Sequence, residues 1–372
     1  MVEGERSEGT NPNELENGIR KGVEACGEQT DHTKNSTFRK RKVQTELNSE
    51  QLVEGILHGD RSLLARSITL IESNAEHHFH QAQQLLKQLL PYTGKAIRIG
   101  ITGVPGAGKS TFIEAFGTYL CHLGLKVAVL AVDPSSSISG GSILGDKTRM
   151  EQLARNPRAF IRPSPSGGRL GGVHRKTRET MLVCEAYGFD VILIETVGVG
   201  QSEVIIREMV DFFMLLVLTG AGDELQGMKK GIMELADTIL VNKADGENQA
   251  QALKTKKEYN QILHFLQPAT KGWQTKVYTC SSLHEYGIKE VWEVIKEFET
   301  TTKQTGVFEE RRRLQTKEWM KSMIIDQLQN LFFLHPVIKE LLPKVENEVI
   351  SGNKTVTTAV EELFEQYYRN FS

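Results

Sequence analysis

With 372 residues, 39% of them hydrophobic and 25% charged, the chain can bury a full α/β core and carry further helices, and one large domain is expected. A formal net charge of −2 provides no global attraction to nucleic acid or anionic membrane, and no apolar run reaches the roughly 18 residues of a membrane span. Four cysteines, Cys26, Cys121, Cys184 and Cys280, form no C-x-x-C pair and suit a reducing cytoplasm.

Residues 1–46 are polar, with little apolar periodicity, and read as a disordered tail. Glu3, Glu5, Glu8, Glu14 and Glu16 argue against an acid-poor mitochondrial presequence, and no early apolar core supports secretion, so a cytoplasmic protein is expected. Arg39-Lys-Arg-Lys42 reads as a solvated basic run, with nucleic-acid contact or nuclear targeting as the other reading. Over 47–92 the apolar residues recur at helical spacing, as in Leu52, Ile56, Leu63, Leu64, Ile68 and Ile71, which predicts a helical entry region. His77 and His80 share a helix face there, but no second ligand cluster accompanies them, and surface or capping histidines are expected rather than a metal site.

Residues 93–303 carry the chemistry. Ile97-Arg-Ile-Gly-Ile-Thr102 is a β-branched run leading into Gly103-Val104-Pro105-Gly106-Ala107-Gly108-Lys109-Ser110 and an amphipathic stretch from Thr111 to Leu123. That is the strand, loop and helix of a phosphate-binding loop. Its glycines let successive backbone N–H groups point inward around a phosphate, where a Cβ would obstruct. Lys109 and the helix N-terminus add positive charge, and the Ser110 hydroxyl is placed to ligate a Mg²⁺ bridging the outer phosphates. A nucleoside triphosphate is the ligand that fits.

Lys126-Val-Ala-Val-Leu-Ala-Val132 has the composition of a buried parallel strand and ends in Asp133-Pro134, where strand ends meet ligands. Asp190-Val-Ile-Leu-Ile-Glu195-Thr-Val-Gly198 repeats the design. Glu195 can sit behind the Mg²⁺ shell, and the Gly198 N–H can sense a γ-phosphate and release it after hydrolysis. Asp146 is a third acid, at an expected helix start; Asp133 and Asp146 also read as caps or turn residues, and both readings stand.

Thr238-Ile-Leu-Val-Asn242-Lys243-Ala-Asp245 is a short apolar strand ending in Asn-Lys-x-Asp, the pattern of guanine-binding loops. Asp245 can accept from the N1–H and 2-amino group of guanine, whereas adenine would leave that carboxylate unpaired. Asn242 supports the O6/N7 side, and the Lys243 stem covers a face of the base. Ser281, Ser282 and Leu283, after another short strand, resemble the small-residue loop that closes over guanine. Tyr286 to Phe298 reads as the last core helix. Over 304–372 a long helix follows, with an apolar stripe through Met323, Ile324, Leu328, Leu331 and Phe332, and then a helix from Val356 to Tyr368. The stripe exceeds what one nucleotide domain needs.

These segments together resemble the MeaB/ArgK group of P-loop GTPases, bacterial relatives of the human methylmalonic aciduria type A protein. The resemblance spans roughly residues 48 to 370 and rests on the phosphate loop to Thr111, Val132-Asp-Pro-Ser-Ser136, Gly141 to Met150, Arg162-Pro-Ser-Pro-Ser166, Glu195 to Glu203, Gly222 to Lys230 and Asn242 to Asp245. It implies a mostly parallel sheet flanked by helices, with an N-terminal helical region and a C-terminal helical arm that makes a homodimer; packing within one chain is the other reading of the arm. It further implies a GTP-hydrolysing chaperone that gates adenosylcobalamin loading and protects or reactivates methylmalonyl-CoA mutase or a related acyl-CoA mutase, with a cobalamin adenosyltransferase as a further partner. GTP or GDP and Mg²⁺ are the cofactors so implied. Carried over by position, Lys109 and Ser110 hold phosphate and Mg²⁺, Asp133, Asp146 and Glu195 are the Mg²⁺-linked acids, and Gly220 to Lys230 is an extra switch loop. In it Lys229 and Lys230 bridge switches or meet an acidic partner, or form a solvated basic face.

Hydrolysis is the less determined step. Ras-like proteins place a water-orienting Gln immediately after the switch Gly, where this chain has Val199; Gln201 comes three residues after Gly198, and Asp133 can polarise water from the other switch. Slow intrinsic turnover accelerated by a partner is therefore expected. Two other classes remain in view. A metal-insertion GTPase is opposed by the lack of a cysteine pair or histidine-rich tail near the phosphate loop, and an ATP-dependent kinase or ATPase linked to lysine/arginine/ornithine transport by Asn242 and Asp245.

Overall fold

The computed structural model describes residues 48–133, 150–165, 170–196, 202–219 and 230–370. The tail expected over 1–46, Asp146, Gly198, Gln201 and 220–229 lie outside the described residues. Strands β1 (Ile97–Gly103), β2 (Val127–Asp133), β3 (Ala159–Pro165), β4 (Val191–Thr196), β5 (Phe212–Val217), β6 (Thr238–Val241) and β7 (Lys276–Thr279) form one sheet in the order β3-β2-β4-β1-β5-β6-β7. Every neighbouring pair is parallel. Parallel pairing needs crossovers, and helices supply them on both faces, so β5 (Phe-Phe-Met-Leu-Leu-Val) is apolar and buried from end to end.

Alternation along each strand sorts its residues between two cores. On one face Ile97, Ile99, Ile101 and Leu193 pack with Phe112 and Phe116 of α4 (Lys109–His122), and with Trp292 and Phe298 of the helix Ile288–Gln304. On the other, Leu130, Ile192 and Ile194 meet α1 (Ser49–Leu57), α2 (Arg61–Glu72), α3 (Glu76–Leu89) and the helix Leu170–Tyr187 through Ile56, Leu64, Ile68, Leu85 and Met181. The remaining helices in chain order are α5 (Glu151–Arg155), α6 (Leu170–Tyr187), α7 (Ser202–Arg207), α8 (Lys230–Leu235), α9 (Asn248–Leu263), α10 (Ile288–Gln304), α11 (Val307–Phe333), α12 (Pro336–Ile350) and α13 (Val356–Arg369).

The first two entry helices start on side-chain caps. Asn48 and Gln51 form a reciprocal capping box, and Asp60 accepts from the N–H groups of Ser62 and Leu63 at 2.7 and 3.0 Å. They are then tied to α6: the Lys176 ammonium donates to the Glu72 carbonyl at 2.6 Å and to Asn74 Oδ1 at 2.5 Å, while Glu72 pairs with Arg162 of β3. Burial lowers the Lys176 pKa, with Arg175 adding to that direction. His77 and His80 are exposed, and His78 Nδ1 lies 2.7 Å from Ser73 Oγ.

The sheet has two dissimilar borders. β3 carries Pro163 and Pro165, and β7 is four residues long, with Lys276 held to Glu297 at 2.9 Å. Beyond α10 the chain leaves the core. Leu314, Met320, Ile324, Leu328 and Leu331 of α11 are each more than half exposed, while Phe332 stacks on Phe364 (centroids 4.6 Å apart) over a small separate core of Ile338, Val345, Ala359 and Leu363.

Candidate functional site

Register brings the predicted residues to one edge. Glu195 of β4 lies opposite Ile101 of β1 on one side and Ala131 of β2 on the other, so the phosphate loop, Glu195 and Asp133 end three adjacent strands at their C-terminal side. Ligands of open α/β sheets bind there. A hydrogen bond between Thr196 Oγ1 and Thr102 Oγ1 at 2.9 Å pins β4 to β1 just before the loop.

Two glycines of the loop are required by contact as well as by conformation. Gly103 has φ 153°, and a Cβ there would lie 2.3 Å from the Leu216 carbonyl oxygen. Gly108, at φ 84°, precedes α4 and would set a Cβ 2.7 Å from Asn242 Nδ2. Between them Val104, Pro105, Gly106 and Ala107 turn back, closed by the Ala107 N–H donating to the Val104 carbonyl at 3.1 Å. Lys109, Ser110 and Thr111 then fill the first turn of α4, whose N–H groups have no intrahelical acceptor and suit an anion.

The Lys109 ammonium donates to the carbonyls of Gly103 (2.8 Å) and Val104 (3.3 Å). Burial drives its pKa down, while the carboxylates of Glu195 and Glu203 lie close enough to raise it. Ser110 Oγ donates to Glu195 Oε1 at 2.9 Å. A hydroxyl and a carboxylate in contact, facing a phosphate loop, are the hard oxygen donors a Mg²⁺ takes together with water and phosphate. Asp133 is the last residue of β2, the strand paired with β4; the other acid expected there, Asp146, falls outside the described residues.

On the other side of the loop Asn242 joins three segments. Its Nδ2 donates to the Ala107 carbonyl at 2.8 Å, and its Oδ1 accepts from the Ser282 N–H (3.2 Å), Ser282 Oγ (2.8 Å) and Cys280 Sγ (3.5 Å). Lys243 holds a left-handed backbone at φ 57°, uncommon for a residue other than glycine and a marker of functional constraint. Half-buried Asp245 accepts from Ser281 Oγ, and Leu283 stands 74% exposed at the tip of that loop. Gly103 to Thr111, Glu195, Asn242, Lys243, Asp245, Ser281 and Ser282 are thus brought together; Gly198 and Gln201 lie outside the described residues.

Sequence reasoning assigned no role to Glu203 or Cys280. Glu203 is buried in α7 within electrostatic reach of Lys109, and the signal was available in an acid placed just beyond the Gly198 segment. Burial pushes the Cys280 thiol up to about 12 and raises the Cys184 thiol as well. A thiol reagent at mildly alkaline pH is accordingly expected to leave both unmodified in the native chain and to reach them only in denaturant, as mass mapping of labelled peptides would record.

The arrangement can bind a Mg²⁺–triphosphate and read a base through a carboxylate. Comparison with known proteins gives a family of GTPases. Residues 64–336 match the family model described as methylmalonyl Co-A mutase-associated GTPase MeaB. The chain is 51% identical over 317 residues to a putative GTPase of Caulobacter vibrioides, covering 85% of this chain and 97% of that protein. It is 45% identical to GTPase ArgK of Escherichia coli (87% and 99% covered) and 40% identical to the mitochondrial methylmalonic aciduria type A homolog of Mus musculus (95% and 86% covered). A crystal structure of a LAO/AO transport system kinase superposes with a TM-score of 0.70 at 38% identity, covering 86% of this chain and 97% of that one. Family model, relatives and fold converge: the chain belongs to the MeaB family of P-loop GTPases.

Proposed function

We propose that this GTPase is a chaperone of an adenosylcobalamin-dependent acyl-CoA mutase, methylmalonyl-CoA mutase in the first place, gating cofactor loading and protecting or reactivating the enzyme. The observation that carries the reading is the match of residues 64–336 to a family described by its association with that mutase. The murine relative, named for methylmalonic aciduria, supports it. A cobalamin adenosyltransferase is the partner that would hand over the cofactor.

In this reading the backbone of Gly103 to Thr111 cradles the phosphates, and Lys109 turns from the Gly103 and Val104 carbonyls to the β- and γ-phosphates. Ser110, Glu195, Asp133 and Asp146 hold Mg²⁺, which when bound neutralises charge developing on the phosphates. Asn242, Lys243 and Asp245 take guanine under Ser281, Ser282 and Leu283, Gly198 senses the γ-phosphate, and Gln201 or Asp133 orients the attacking water. Catalysis is then mostly positioning and charge stabilisation, which a partner can complete. Two copies associate through the arm, whose exposed Met320, Ile324, Leu328 and Leu331 would lose water on pairing. A cytoplasmic location is part of this reading, supported by four cysteines that form no C-x-x-C pair; separately, among the described residues no helix is long and apolar enough to cross a membrane.

Phosphate release from GTP is expected to rise severalfold when the client mutase is added and to stay low without it. Unchanged rates and no co-elution with any candidate mutase would overturn the chaperone reading. Turnover of ATP above GTP at matched Mg²⁺ would favour the transport-kinase reading carried by the name of the solved relative.

A further inference from the structure

Helix α7 is held at both ends. Its Glu203 is buried within electrostatic reach of Lys109, and Ile206 packs so closely on β1 that a Cβ at Gly100 would lie 2.9 Å from it. At the other end the Arg207 guanidinium straddles the Asp237 carboxylate, NH1 to Oδ2 at 2.8 Å and NH2 to Oδ1 at 3.2 Å, and donates to Thr270 Oγ1 at 3.0 Å. Asp237 is fully buried and also accepts from the Phe213 N–H at 2.9 Å, so it is fixed to β5.

A second guanidinium shares the same two acceptors. Arg311, near the start of α11, places NH1 3.6 Å from Asp237 Oδ2 and donates to Thr270 Oγ1 and to the Asp211 carbonyl. Thr270 Oγ1 in turn donates to Asp237 Oδ1. Two cations therefore divide one buried carboxylate and one hydroxyl, and neither can shift without changing the hydrogen bonds and the charge balance of the other. Gln315, one turn further along α11, donates to the Val210 carbonyl at 2.8 Å, so α11 grips the segment after α7 at a second point.

We propose that Arg311, in the C-terminal arm and remote from the phosphate loop, is a positioning residue for GTP hydrolysis, acting through Asp237, Thr270 and Arg207 on helix α7. The effect belongs to the hydrolytic step. A nucleoside diphosphate would be held by the phosphate loop and the base loops, which among the described residues share no hydrogen bond or ion pair with this cluster, whereas the γ-phosphate must fit against Lys109, which Glu203 of α7 approaches. Whatever binds the arm and moves the start of α11 would then reach the hydrolytic step through the same packed and hydrogen-bonded contacts.

The test uses the full chain, measuring steady-state phosphate release from GTP, affinity for a fluorescent GDP and thermal melting. Arg311→Gln is expected to lower kcat about tenfold, less than the roughly 100-fold that a full ångström of misplacement far from the chemistry can cost, while GDP affinity stays within about twofold. Arg311→Lys should recover part of the rate. Lys321→Ala, on the same helix outside the cluster, should leave the rate as it was. A folded Arg311→Gln protein with the original kcat, or one whose GDP affinity falls in step with kcat, overturns the proposal. Should Arg311→Gln fail to fold, Thr270→Val removes the shared hydroxyl without removing a charge. A lowered kcat with GDP affinity kept then supports the coupling, and an unaltered kcat refutes it.

Discussion

Asp245→Asn is expected to weaken GTP binding about 10⁴-fold, the discrimination seen when a site built to pair specific hydrogen-bonding groups meets the wrong one. The Asp245 carboxylate is half-buried and oriented by Ser281 Oγ, on the far side of Asn242 from the phosphate loop. Guanine offers it two donors, N1–H and the 2-amino group. An amide offers one acceptor and one donor, so its N–H₂ would face the 2-amino group and both would go unpaired. Xanthine replaces that amino group by a carbonyl, so the variant should bind and hydrolyse xanthosine triphosphate with the affinity it has lost for GTP. Competition of both nucleotides against a fluorescent analogue measures the exchange; undiminished GTP affinity would remove Asp245 from base recognition. Fold should be unaffected, because Ser281 Oγ can bond to either side chain.

Asp211→Ala is expected to destabilise the chain by about 3–5 kcal/mol, the cost of stranding a buried charge. The Asp211 carboxylate accepts from Arg312 Nε at 2.8 Å and NH2 at 2.6 Å and from the Arg98 N–H at 2.8 Å, with its side chain 1% exposed. Burial works to lower the Arg312 pKa, but the hydrogen bonds and charge of Asp211 outweigh it and the pKa stands raised. Without Asp211, Arg312 keeps the carbonyls of Gly94 and Ala96, each at 2.7 Å, and has lost the anion in contact with it. A loss of this size is a large share of a typical domain's stability. Urea titration should show a lower midpoint at an unchanged slope, and Asp211→Asn, which keeps an acceptor for the Arg98 N–H, should fall between the two. A shift below about 1 kcal/mol would mean that the pair is no more than a surface contact.

Much of the site was legible because its chemistry is local. Gly103 to Ser110 encodes strand end, loop and helix start within eight positions, and Asn242, Lys243 and Asp245 lie within four; the structure joins these two segments through Asn242 and the Ala107 carbonyl. The sheet was legible for a similar reason: runs such as Lys126–Val132 and Asp190–Glu195 are apolar in the way only strands covered on both faces are. The α11 anchor was not. Arg312 and Asp211 stand 101 positions apart, and an ion pair at that separation leaves no periodic trace in the chain. Helix α12 escaped because Pro343 sits inside it, and a proline read in isolation argues for an end to a helix; here Ile338 and Val345 are buried against α13, and packing overrides the local preference. Glu203 follows the Gly198 segment closely in sequence, but which cation it would face depended on the fold, which sets it near Lys109.

The prolines of β3 and the brevity of β7 bear on how this protein meets other chains. Pro163 and Pro165 remove donors from one outer strand, and the other is too short to template an added strand. A newcomer would find little ladder to extend at either margin, which guards the folding chain against edge-to-edge aggregation. Association is left to helices, where side chains rather than an unselective backbone choose the companion.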